Sequence, residues 1–380
     1  MDIKIISIYI IAIQMLLSTS MVPVPWNSQF NVIILAIPLM ILVLSSFNTF
    51  LMYRHRHIVQ IYIIVVCLIG VMHPESFHFH NLFRMIAPLV IVGSINANDV
   101  RKLKPLALLF ICFFFANVLI AVYERATLTR LLDVPMDNEI LVHQMEVAST
   151  ELGDDSFRAF ALLGHPLTNA NIMAYWSFML FYCGLLSSKQ NIVAFVLGII
   201  SLFCFNSRGA LLLSLFMSIP IIITIIREKS KYKIITFLII AIAVIYFISF
   251  FNSFGGRLAS IGLDDDSGMV RYLALQEFLS LSTNEYIFGG HKVMYGENGY
   301  FMLIECFGLL GLLKAILEII IAYKVLELDS KVARWIIMLS LIAIGSTNNN
   351  LFYASVFPLY ILSVVIFVNN KRKEIYESTL

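Results

Sequence analysis

Residues 105–122 read PLALLFICFFFANVLIAV, and Tyr123-Glu124-Arg125 then opens a hydrophilic stretch that runs to residue 170. An uncharged apolar run of this length fits the roughly 20 residues that a helix needs to cross a bilayer. Working outward from it, similar runs recur near 3–21, 31–50, 58–73, 82–96, 171–187, 191–206, 209–226, 234–251, 298–323, 335–346 and 351–369. The run at 82–96 is short and contains Arg84 and Pro88, and the run at 335–346 leads into Ser346-Thr347-Asn348-Asn349-Asn350. The expectation is an all-α polytopic integral membrane protein of about 12 transmembrane helices, with 10 or 11 as alternatives, forming one transmembrane domain over 1–380. Composition agrees: 60% of residues are hydrophobic and 13% charged, against about half and a quarter in soluble domains. Mean hydropathy is +0.88. Backbone polar groups in lipid must be satisfied within their own segment, so helices are the expected form.

Two long polar loops interrupt the apolar runs, 123–170 and 252–297. Basic residues orient them, because lysine and arginine concentrate on the cytoplasmic side. With the N-terminus inside, the inner connections hold Lys4, Arg54, Arg56, Arg101, Lys102, Lys104, Lys189, Arg227, Lys229, Lys231, Lys233, Lys324, Lys331, Arg334, Lys371, Arg372 and Lys373. Those are 17 of the 26 basic residues. Both long loops are then extracytoplasmic and both termini cytoplasmic. The remaining nine are Arg84, Arg125, Arg130, Arg158, Arg208, Arg257, Arg271, Lys292 and Lys314, seven of them arginine. Arginine's planar fork binds phosphate or carboxylate bidentately, whereas lysine serves as a generic inner anchor. The plainer alternative pairs outer arginines with acids of the same loops, and Arg125 and Arg130 beside Glu124 and Asp133 fit it best.

Other features set bounds. The five cysteines (Cys67, Cys112, Cys183, Cys204 and Cys306) fall in predicted spans without paired spacing, and read as core residues. The first apolar run resembles a signal sequence but is needed for loop parity, so it is kept as a helix. His73, His78 and His80 lack a supporting ligand set and read as interfacial or substrate-facing, so no metal is expected. The net charge of +2 gives no reason to expect nucleic acid.

The polar loops carry the chemistry. The first ends Phe157-Arg158-Ala159-Phe160-Ala161-Leu162-Leu163-Gly164-His165-Pro166, whose apolar run is expected to dip into the interface and present Arg158 and His165 at a cavity rim. Gly164-His165-Pro166 reads as a turn, and Asn169 or Asn171 as a helix cap. Asn206-Ser207-Arg208-Gly209 sets one arginine in a short outer turn, functional or snorkelling. The second loop holds Gly255-Gly256-Arg257, then Asp264-Asp265-Asp266 as a solvated turn or cap. A helix is expected over 269–281, containing Arg271 and capped by Asp266 or Ser267. Phe288-Gly289-Gly290-His291 and Glu297-Asn298-Gly299-Tyr300 follow. Glu305 is seven residues past Asn298, about 10 Å deep in the tenth span, and an intramembrane carboxylate is a functional candidate. Lys314 and Glu318, four apart, read as a self-neutralising snorkelling pair.

The ordered set Arg158…Gly164-His165-Pro166, Ser207-Arg208-Gly209-Ala210-Leu211-Leu212, Arg271, Phe288-Gly289-Gly290 and Glu297-Asn298-Gly299-Tyr300…Gly308-Leu309-Leu310-Gly311 resembles the bacterial O-antigen ligase/polymerase superfamily. The Wzy-type polysaccharide polymerases are the nearer match, over about residues 150–320. The resemblance implies an inverting, metal-independent and cofactor-free glycosyl transfer at the periplasmic face of the inner membrane. Its substrate would be an undecaprenyl-pyrophosphate-linked oligosaccharide, with membrane lipids, a chain-length regulator and a flippase as partners. Arg158, Arg208 and Arg271 correspond to family arginines that hold the pyrophosphate or glycan, and Arg257 with Gly268 repeats a spacing of polymerase loops. Ligases carry His-Asn where this chain has Glu297-Asn298, which weakens the ligase alternative and leaves Glu297, His165 and His291 as candidate general bases. Arg84, Arg257, Asn298, Tyr300 and Glu305 complete the expected substrate-facing set. A lipid-linked oligosaccharide flippase is the alternative of another class; it predicts substrate groups buried at mid-membrane.

Overall fold

The computed structural model describes residues 2–19, 28–74, 79–95, 99, 102–132, 158–164, 166–181, 186–205, 266–294 and 298–325, with isolated positions between 207 and 219 and between 334 and 362. Among the described residues all regular structure is helical: α1 (Ile3–Thr19), α2 (Ser28–Met52), α3 (Arg56–Met72), α4 (Phe79–Ser94), α5 (Lys104–Thr127), α6 (Pro166–Phe181), α7 (Ser188–Cys204), α8 (Asp266–Leu279), α9 (Thr283–Phe288) and α10 (Gly299–Val325). The first five apolar runs each fall on a helix. The expected span at 234–251, all of 351–369 but Leu362, and most of 335–346 lie outside the described residues.

Two helical stretches, Val32–Leu51 and Lys104–Thr127, are long and apolar enough to cross a membrane. Their surroundings argue the same way. The outward face of α2 carries Ile33, Ile37, Met40, Leu44, Phe47 and Leu51 exposed, while Leu35, Leu39 and Leu42 are buried on its other side. In α3, Ile61, Ile64, Leu68 and Val71 face out, and Val59, Tyr62, Val66 and Ile69 face in. A helix apolar on every side requires a partner that is not water, since a soluble helix keeps a polar face.

Local chemistry sets several boundaries. α5 begins with Pro105 in its first turn and ends at Leu128, whose φ of 54° is left-handed. α7 starts in a capping box between Ser187 and Gln190. α6 starts at Pro166, five residues before the expected 171, because proline fits a first helical position. Asn169 and Asn171 are therefore buried inside α6 and do not cap it. α8 begins at Asp266, so that aspartate belongs to the helix itself.

Contacts between helix ends fix their relative directions. Lys4 Nζ lies 2.5 Å from Asp99 Oδ2, and the Tyr9 hydroxyl donates to the Lys102 carbonyl at 2.8 Å. The start of α1, the end of α4 and the start of α5 thus meet at one end of the bundle. Lys4 is more than an inner anchor, because it is buried with its acid partner. The end of α5 and the end of α3, which a short connection joins to the start of α4, then point to the opposite end.

Helix α10 departs most from expectation. It breaks at Gly308 (φ 58°, ψ −140°), and a Cβ on Gly311 would overlap the carbonyl oxygen of Leu303. Eight residues of unbroken helix separate by about 12 Å, so the two halves fold back on each other. From the break onward the helix runs antiparallel to α3: Phe307, just before Gly308, packs edge-on against His73 at the end of α3, and Glu318 accepts from the Tyr62 hydroxyl, further back along α3, at 2.9 Å. Residues 298–323 are accordingly no single span, and counting residues from Asn298 does not give the depth of Glu305.

Candidate functional site

The described end of the first polar segment, residues 158–164, enters the bundle; its other expected rim residue, His165, lies outside the described residues. Arg158 is half-buried, and Ala159, Phe160, Ala161, Leu162, Leu163 and Gly164 are all buried. They form a tight turn with Ala161 at φ 42° and Gly164 at φ 72°. Glu124, in the last turn of α5, organises this turn. Its Oε2 accepts the amides of Phe160 at 2.7 Å and Ala161 at 2.9 Å, and its Oε1 accepts that of Leu131 at 3.1 Å. Asn117, two turns earlier, accepts the Leu162 amide at 2.8 Å. Asn169 donates to the Phe160 carbonyl at 2.5 Å, Ala159 donates to the Cys204 carbonyl at 3.0 Å, and the Arg130 guanidinium lies 4.1 Å from the centre of the Phe160 ring.

The second segment lies at the α8–α9–α10 junction. Ser282 and Glu285 form a reciprocal capping box at the start of α9. His291 then brings two helices together: its Nδ1 is 2.9 Å from Glu285 Oε1 and its Nε2 is 3.2 Å from Glu277 Oε1. Glu277 also accepts the Met294 amide at 2.8 Å. The hydrogen bond to Glu285 is the main cause that raises the His291 pKa, with Glu277 adding to it against the effect of burial. The His291 bond, with Ser282 behind it, pulls Glu285 down to about 2. Both ring nitrogens of His291 thus face carboxylates that favour the imidazolium, and such a group is poorly suited to accept a proton. Among the candidate bases, His291 is the one whose two ring nitrogens both bond carboxylates.

The break in α10 is built into this junction. Gly289 and Gly308 approach backbone to backbone, and a Cβ on Gly289 would lie 2.5 Å from the Cys306 carbonyl oxygen. The break leaves helix carbonyls without their usual donors. Gly290 donates to the Cys306 carbonyl at 3.0 Å and His291 to the Glu305 carbonyl at 2.9 Å. Asn298 caps the first half of α10, accepting the Tyr300 amide at 3.0 Å and the Phe301 amide at 3.2 Å. Phe278 of α8 stacks on Phe301 with ring centres 4.3 Å apart.

The other expected site residues separate clearly. Arg271 is exposed on α8, Arg84 is half-buried on α4, and Tyr300 is half-buried against the core. Glu305 is 1% exposed, and neither carboxylate oxygen has a hydrogen-bond partner among the described residues. Glu297, His165, Arg208 and Arg257 lie outside the described residues. Lys314 and Glu318 pair at 2.7 Å, yet Lys314 is fully buried, so the pair is interior and does not snorkel.

Both polar segments lie at one end of the bundle. The Arg158 turn is bonded to the ends of α5 and α7. The glycine junction meets the end of α3 through His73, whose imidazole also bonds the Phe288 backbone. Sequence reading missed Glu124, Asn117, Glu277 and Glu285. Legible signals existed for three of them: a polar residue within an apolar span for Asn117, an acid at the unfavourable end of a helix for Glu124, and Ser-x-x-Glu for Glu285. Neither protein-family models nor curated proteins match this chain.

Proposed function

We propose that this protein is a membrane-embedded glycosyltransferase that joins undecaprenyl-pyrophosphate-linked oligosaccharide repeat units into O-antigen or capsular polysaccharide, acting at the periplasmic face of the inner membrane. The observation that carries the reading is the shared end of the bundle: the Arg158 turn and the Gly289-Gly290-His291 junction, remote in sequence, lie at the same end, the first against the ends of α5 and α7 and the second against the end of α3. Their motifs are those on which the resemblance to Wzy-type polymerases rests. Arginines at such a site neutralise the pyrophosphate leaving group electrostatically. A carboxylate or histidine takes the acceptor hydroxyl proton as that oxygen attacks the anomeric carbon with inversion, and the glycosidic bond to pyrophosphate breaks. With His291 held between two carboxylates, Glu297 and His165 are the bases that remain from the sequence. The test is purified protein in vesicles with synthetic lipid-linked repeat units. Glycan ladders without any added acceptor support a polymerase, and Arg158→Ala or Arg271→Ala should abolish them. No lengthening, with transfer only when lipid A core is added, would instead identify a ligase.

One observation favours a second reading. The buried Lys314–Glu318 pair and Tyr62 put polar groups well inside the bundle, where a transporter binds its substrate. A flippase moves labelled lipid-linked oligosaccharide across the same vesicles and forms no new glycosidic bond.

A further inference from the structure

We infer that Glu124, assisted by Asn117, is the positioning residue that fixes where Arg158 presents its guanidinium; the inference rests on the proposed reading of Arg158 as a ligand of the anionic leaving group. An acid in the last turn of a helix opposes the helix dipole and is unfavourable there without compensation. Glu124 is also fully buried, which for a carboxylate requires charge-assisted partners. Those partners are backbone amides, and two of them belong to consecutive residues of the turn that begins at Arg158.

The geometry of that turn explains the need. Ala161 takes a left-handed φ of 42°, which is unfavourable for a non-glycine residue. Consecutive amides that converge on one point form a concavity that attracts an anion. In this chain the protein supplies that anion from α5. Asn117 extends the clamp to Leu162, Asn169 ties the Phe160 carbonyl to α6, and the Ala159 amide is tied to the end of α7. Arg158 is therefore the residue just outside a turn bonded to three helices. A loop so held presents a side chain at a fixed place, whereas an exposed loop would present it across many. Because both Glu124 oxygens accept backbone amides, its role toward Arg158 is one of support and not direct contact with substrate.

The experiment separates position from activity. Arg158→Cys is introduced into the full-length protein in proteoliposomes. Labelling of residue 158 by a membrane-impermeant maleimide is timed by mass spectrometry of its peptide. Adding Glu124→Gln or Asn117→Leu should change that rate by about tenfold or more, whereas Asn117→Asp, which keeps an acceptor oxygen, should preserve it. Unchanged labelling in both the Glu124→Gln and Asn117→Leu backgrounds overturns the inference, and Asn117→Leu keeps the test open should Glu124→Gln fail to fold. With Arg158 restored, Glu124→Gln should lower kcat for chain extension roughly a hundredfold, the usual cost of displacing a group by about 1 Å. The KM for the acceptor repeat unit should stay near its native value. If labelling shifts but Arg158→Ala itself extends chains normally, the clamp stands and the functional reading beneath it falls.

Discussion

His291 lies between Glu277 and Glu285, and the pH response of this contact follows from the direction of each shift. A histidine whose folded pKa is raised contributes stability that is fully present below its ordinary 6.5 and is lost as pH climbs through the raised value. A carboxylate held down to about 2 contributes stability present above its ordinary 4.5 and lost as pH falls toward 2. The junction should be tightest between about pH 4.5 and 6.5 and loosen on the alkaline side. Protection of the Gly290 and His291 amides, measured against the intrinsic exchange rate at each pH, should fall above that window, and His291→Gln should remove that fall. Equal protection from pH 5 to pH 9 in the native protein would rule out a structural role for the ion pairs. Glu305, one helical turn before the break, is the other residue-scale feature: a buried carboxylate whose oxygens no described side chain satisfies.

At the scale of elements, the break in α10 depends on three glycines in different ways. Gly308 and Gly289 need both a left-handed backbone and the absence of a Cβ, because each abuts the other's peptide. Gly290 has φ 88° but nothing within 4 Å of its missing Cβ. Alanine at Gly290 therefore carries only the conformational cost of about 1–2 kcal/mol, while alanine at Gly289 or Gly308 adds a backbone collision. Thermal unfolding in detergent should show a drop of about 2 °C for Gly290→Ala and of roughly 5 °C or more for each of the others. Equal melting temperatures for all three variants would mean that the end of α9 does not meet the break in α10 through this pair of glycines.

Across the whole molecule, buried polar contacts and lysine–arginine bias agree on which helix ends belong together. Lys4 with Asp99 and Tyr9 with Lys102 gather one end, and among the described residues Lys4, Lys102 and Lys104 lie there. The Arg158 turn and the α9–α10 junction occupy the other. Cysteines placed at Ser149 and Ser282 should accordingly label from outside intact inner-membrane vesicles of native orientation, whereas one at Ser230 should need permeabilisation. Finding Ser149 and Ser282 on opposite faces would dismantle the shared site.

The sequence by itself determined the helical class, the position of the first five helices, the placement of Arg158 on a segment that turns inward, and the helix that carries Arg271. These follow from local quantities: the length of an apolar run, a proline at a helix start, a glycine at a turn. Three other facts needed the tertiary structure. Glu124 reads in sequence as a surface partner for neighbouring arginines, and only the return of residues 158–164 to the end of α5 makes it an internal anion. His291 reads as a free base until α8 and α9 bring a carboxylate to each nitrogen. The apolar run at 298–323 reads as one span because hydrophobicity does not record a reversal at Gly308. That reversal is stable because Gly290 and His291 replace the hydrogen bonds it breaks, and no periodicity in the sequence encodes a contact between residues so far apart along the chain.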